Sequence, residues 1–101
     1  MPEMRFHIQW PDGSRESCYS PSLVVAEHFA PGESYALADF LARSQTALHI
    51  ASDRVKAKYG RACSLALGQL ARIEASCARF ADIEDACVRV DSFEQEGSAR
   101  P

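Results

Sequence analysis

Cys63 is the residue whose type and position come closest to nucleophilic chemistry. A thiol becomes a nucleophile when a cation, a helix N-terminus or a histidine depresses its pKa. Cys63 stands at the predicted start of a helix, with Arg61 two positions before it. It also lies on an apolar stripe with Leu67 and Leu70, where a cysteine packs as a small hydrophobe, and that reading is favoured. Cys77 continues the same stripe and is read as core. Cys18 and Tyr19, beside Ser20-Pro21-Ser22, gather a thiol and hydroxyls that could face a pocket. The plainer alternative is strand-end packing followed by helix capping.

Arg54, Lys58 and Arg61 fall on one side of a helix end, next to Tyr59. Such a cluster can take an anion or an acidic partner surface, although cations in a last turn also complement the helix dipole without any ligand. Cys18, Tyr19, Arg54, Lys58, Tyr59 and Cys63 are therefore the candidate ligand- or partner-binding residues, and none of them is assigned a catalytic role. His7, His28 and His49 fall on three different elements and show neither His-x-x-x-His nor Glu-x-x-His spacing, so no metal site is expected. Ser44, Ser52, Ser64 and Gln69 lie on or beside helical stripes, where buried small polar residues are usually hydrogen-bonded between helices, the alternative being that they line a ligand site. No phosphate loop, paired-carboxylate motif, nucleophile elbow or dinucleotide fingerprint is present, and no cofactor is implied.

The chain that must position these residues has 101 of them, 47% hydrophobic and 25% charged. That composition is globular, and the length suffices for one core burying roughly two-thirds of the unfolded surface. A net charge of -3 gives no global attraction to phosphate, which argues against nucleic acid as a partner. Charged residues stand within the first five positions with no apolar run of signal-peptide length after them, and no segment approaches the length of a membrane span. A cytoplasmic protein is expected. Its four cysteines, at 18, 63, 77 and 87, match no Cys-x-x-Cys or zinc-finger spacing and are read as free thiols.

Met4, Phe6, Ile8 and Trp10 alternate with polar residues from Glu3 onward, the period of a half-buried strand. Pro11-Asp12-Gly13-Ser14 supplies a turn, and Arg15 to Tyr19 a second, more polar strand, giving a hairpin. Ser before Pro21 opens a short helix over Leu23 to Phe29, preferred over a strand for the β-prone Leu23-Val24-Val25. Ala30 to Glu33 reads as a loop. Leu37, Phe40, Leu41, Leu48, Ala51, Val55 and Tyr59 form the stripe of a long amphipathic helix over about 35–59, with Gly60 at its left-handed end. After a link of one or two residues, a second helix is predicted from about Ala62 to Phe80. Asp85 to Asp91 alternates again as a third strand, and residues 94–101 are expected to form a flexible polar tail after a single domain over 1–93. The fold class is α+β, two-layered: a small antiparallel sheet covered by two long helices, with sheet edges left open to self-association.

Read together, Trp10-Pro11-Asp12-Gly13, Cys18-Tyr19-Ser20-Pro21-Ser22, Gly32-Glu33-Ser34-Tyr35, Leu37-Ala38-Asp39-Phe40, Ala51-Ser52-Asp53-Arg54-Val55, Tyr59-Gly60, Ala62-Cys63-Ser64 and Gln69-Leu70-Ala71-Arg72-Ile73-Glu74 form an ordered series. In this the chain resembles the bacterial family of small nitrogen-starvation response proteins, over nearly its whole length up to about Phe93. The resemblance implies genes clustered with a nitrilase, a radical-SAM protein, an acetyltransferase and a flavoprotein, and a link to nitrile or cyanide nitrogen. It brings no assigned catalytic residues. The function expected is that of a non-enzymatic accessory or regulatory protein that binds a protein partner from such a cluster, directly or as a homo-oligomer. Two alternatives stay open: a small thiol-dependent enzyme or carrier using Cys18 or Cys63, and a small-ligand sensor with a pocket between hairpin and helices.

Overall fold

The computed structural model describes residues 3–96. Strands β1 (Glu3–Gln9) and β2 (Arg15–Ser20) form the predicted hairpin. Its turn closes through the Trp10 N–H donating to Ser14 O and through Asp12 Oδ1, which accepts from both the backbone N–H and the hydroxyl of Ser14. A 3-10 helix follows over Leu23–Glu27. Then come β3 (Glu33–Ala36), helix α1 (Leu37–Tyr59), helix α2 (Ser64–Arg79) and β4 (Cys87–Glu96). The strands make one antiparallel sheet in the order β2-β1-β4-β3, so the fold is α+β with four strands.

The short helix is a single 3-10 segment. Its cap is the serine after Pro21 and not the one before it: Ser22, in extended conformation, accepts the Val24 N–H on its side chain, which leaves Pro21 outside the helix. Four boundaries differ from the sequence expectation. The stretch read as the end of a loop and the first turn of the long helix is β3, an edge strand in which Tyr35 alone is part-buried, so no apolar alternation marks it. Helix α1 accordingly begins at Leu37. Its C-terminus is where expected: Gly60 adopts φ 85° and its N–H donates to Lys56 O. The link to α2 has four residues, 60–63, because Cys63 is extended at φ -83°, ψ 108° and serves as N-cap.

The fourth difference is at β4, which runs through Glu96 instead of ending near Asp91. Its register against β1 shifts between His7 and Ile8, so that Val90 opposes Ile8 and Ser92 opposes His7. Asp91 is thus the extra residue of a β-bulge. The bulge resets the pleat: Phe93, three positions after Val90, lies opposite Phe6 and packs against the core. Glu94 to Glu96 are therefore strand where a tail was expected, and the rest of that tail, residues 97–101, lies outside the described residues.

The core lies between the sheet and the helices. Met4, Phe6 and Ile8 from β1, Cys18 from β2, and Val88 and Val90 from β4 meet Phe40, Ala47 and Leu48 of α1 and Leu70, Ile73 and Cys77 of α2. An aromatic seam joins the layers. Trp10 stacks on Phe80 at 5.8 Å and meets Phe40 edge-on at 5.6 Å, while Phe29 bridges Phe40 and Tyr35 at 5.2 Å each. The opposite face of the sheet is polar, with His7 bonded to Glu94 at 3.0 Å.

Candidate functional site

The two helices run antiparallel, so the C-terminus of α1 and the N-terminus of α2 meet at one corner of the molecule. That corner packs beside the hairpin. A small depression of about 160 Å³ there is lined by Glu3 and Tyr19 of the hairpin, by Pro21, by Val55 and Tyr59 of α1, and by Cys63. The fold thereby brings together three of the six candidate residues, Tyr19, Tyr59 and Cys63. Tyr19 is held in place: its hydroxyl donates to Glu3 Oε1 at 3.0 Å, and the Arg5 guanidinium lies 6.0 Å from its ring centroid. Cys63 is part-buried, and its backbone N–H donates to Ser52 Oγ at 3.3 Å, which ties the linker to α1.

The remaining three candidates do not line the depression. Lys58 is exposed and its ammonium stands 5.6 Å from the Tyr59 ring centroid. Arg54 is committed to structure, since its Nη1 donates to Ser22 Oγ at 3.1 Å and so pins the 3-10 segment to α1. Cys18 points into the core and is fully buried. Burial pushes its thiol well above the usual value, with Glu16 adding to the effect, so the packing role prevails over surface chemistry there. Burial likewise raises Cys77, to about 11.

Beside the first depression lies a second, of about 360 Å³, lined by Arg5, Glu16, Leu65, Gln69 and Arg72 and sharing Glu3 and Tyr19 with it. Gln69 is nearly solvent-free yet fully engaged. Its Oε1 accepts the Tyr19 N–H at 3.0 Å and Arg72 Nη2 at 3.1 Å, while its Nε2 donates to Glu16 Oε2. The other carboxylate oxygen of Glu16 accepts the indole N–H of Trp10 at 2.9 Å. This network closes the outer edge of β2 with a helix side chain, one of the ways a sheet edge is protected from pairing with another chain. The sequence read Gln69 as a polar residue hydrogen-bonded between helices; its bonds to the Tyr19 N–H and to Glu16 run instead to β2, which takes them because β2 ends the sheet.

What distinguishes the corner is exposed apolar surface beside positive charge. Tyr59 and Leu65 are 59% and 64% exposed, the largest values among the exposed large hydrophobic residues. Leu65 was not singled out by its spacing, because one leucine off a stripe carries no signal of its own. Residues 54–61 contain Arg54, Lys56, Lys58 and Arg61 and no acid. Aromatic and arginine side chains are the residue types enriched at protein–protein interfaces. Among the described residues, no group of three or more His, Cys, Asp or Glu side chains is placed to hold a metal ion, and no helix is long and apolar enough to cross a membrane.

In comparison with known proteins, the family model described as nitrogen starvation-induced protein NitG matches residues 5–93. No curated protein and no solved structure matches the chain.

Proposed function

Because the chain belongs to the NitG family of nitrogen starvation-induced proteins, we propose that it serves the nitrogen-starvation response as a non-enzymatic accessory protein of the cytoplasm, docking onto a partner enzyme through the α1–α2 corner. The observation that carries this reading is the pairing of exposed Tyr59 and Leu65 with the acid-free cationic run from Arg54 to Arg61. An apolar anchor inside a charged rim gives affinity through the buried side chains and orientation and association rate through the charges. The partner surface that fits is apolar at its centre and acidic around it. A nitrilase-type enzyme, or another product of the same gene neighbourhood handling nitrile or cyanide nitrogen, is the proposed owner of that surface.

The depression at the corner favours this reading over an enclosed ligand. At about 160 Å³ the hollow holding Tyr19, Tyr59 and Cys63 is smaller than the roughly 300–1,000 Å³ of ordinary small-molecule sites. The sensor reading keeps one supporting feature, the adjoining hollow with Arg5 and Arg72, and would show as thermal stabilisation by a small anion.

Affinity capture from nitrogen-starved cells tests the proposal. The parent protein is expected to retain a specific enzyme, and a Lys58→Glu/Tyr59→Asp variant to lose at least nine-tenths of it, with retention falling as salt rises. Equal retention by the two proteins would remove the corner from the account.

A further inference from the structure

At the other end of the helical pair the chemistry is reversed. A groove of about 520 Å³ runs between the N-terminus of α1 and the C-terminus of α2. Leu37, Leu41, Cys77 and the 47% exposed Ile83 give it an apolar floor, and Glu74 and Asp85 are the charged residues that line it. Asp82 and Glu84 stand in the adjoining turn, so residues 80–86 contain three acids and no cation. The nearest cations on the same elements are occupied elsewhere. Arg43 is paired with Asp39 at 3.0 Å, and Arg79 lies over the Phe80 ring at 5.2 Å, on the side from which its charge reaches Asp12.

This groove has the complement of the corner's chemistry: apolar centre and acidic rim against apolar knob and basic rim. The two lie at opposite ends of α1, whose 23 residues span roughly 35 Å, so they cannot meet within one chain. We infer that the groove receives the α1–α2 corner of a second copy, with Tyr59 and Leu65 seated over Leu37, Leu41 and Ile83, and Lys56, Lys58 and Arg61 facing Glu74, Asp82, Glu84 and Asp85. The contact is heterologous, head to tail, so each copy keeps one free corner or groove until a ring closes. The inference uses the same corner as the proposed docking function and rests on that reading of its surface. Its consequence is regulatory: a corner held in a neighbouring groove is withheld from the partner enzyme, and assembly and partner capture exclude each other.

Two surface variants separate the halves of the contact. Lys58→Glu/Tyr59→Asp spoils the corner and Glu74→Lys/Ile83→Lys spoils the groove, all four side chains being exposed. Circular dichroism and thermal unfolding verify that both still fold. In sedimentation velocity at low ionic strength, the parent is expected to at least double its weight-average mass over a tenfold rise in concentration, and to return to monomer at about 500 mM salt. Each variant alone should stay monomeric. Mixed, they retain one intact corner and one intact groove between them, and should form a one-to-one dimer that grows no further.

A parent that stays monomeric throughout would overturn the inference. So would variants that associate alone, or a mixture that fails to pair while the parent associates. Partner capture keeps the two proposals apart. The groove variant retains its corner and should capture the partner enzyme at least as well as the parent. Corner-dependent capture by a parent that never self-associates would leave the docking function standing and the inference refuted.

Discussion

At the scale of single residues, burial sorts the four cysteines. Cys18 and Cys77 are enclosed, Cys63 is part-buried at the linker, and Cys87 is exposed with its thiol near Asp85 O at 3.5 Å. The two buried thiols have a consequence for stability. Burial raises both, so the native state holds their protons to higher pH than the unfolded chain, whose thiols ionise near 8.5. The native state thus binds more protons between that pH and the raised values, and stability must fall as pH rises across that window. Urea unfolding from pH 8 to 10.5 should show this decline. A Cys18→Ala/Cys77→Ala variant, less stable at pH 8 because of the cavities it creates, should show a shallower slope. An identical slope would mean that other groups carry the effect.

At the scale of elements, the structure depends on how the two ends of the sheet are finished. The β2 edge is closed by Gln69, whose amide serves the Tyr19 N–H and the Glu16 carboxylate together. Gln69→Met keeps the volume and removes these two bonds together with the one from Arg72, leaving polar groups unpaired at about 1–3 kcal/mol. A loss of about 2 kcal/mol in chemical denaturation is expected, with increased aggregation from the opened edge; unchanged stability would show that water replaces the amide without cost. The elements that were legible in the sequence are those whose pattern is periodic: the Met4-Phe6-Ile8-Trp10 strand, the α1 stripe and its Gly60 stop. Those that were not have physical reasons. β3 is four residues long with one part-buried side chain, and the alternation of β4 is broken by the bulge at Asp91, which hides the return of Phe93 to the core. Cys63 misled in a third way, since a part-buried N-cap beside a stripe looks like a member of the stripe.

At the scale of the whole molecule, the helical pair is a rod with a basic, apolar knob at one end and an acidic, apolar groove at the other, laid on a sheet whose outer face is polar. The net charge of -3 conceals this polarity, because opposite charges sit at opposite ends. Candidate residues of the knob were visible in the sequence as a cationic helix end with Tyr59. The groove was not, since its floor is assembled from α1, α2 and the turn before β4, which are neighbours only in the fold. The family match reaches from residue 5 to 93 and therefore spans both ends.

The central claim is that the corner touches a partner during nitrogen starvation. A photo-crosslinking amino acid at position 59, with a second protein carrying it at Ser92 on the polar sheet face, tests this in intact starved cells. The account predicts a discrete adduct from position 59 whose mass is not a multiple of the chain's own, weakened by Lys58→Glu and absent from position 92. Adducts of equal yield from both positions, or none from position 59, would contradict it.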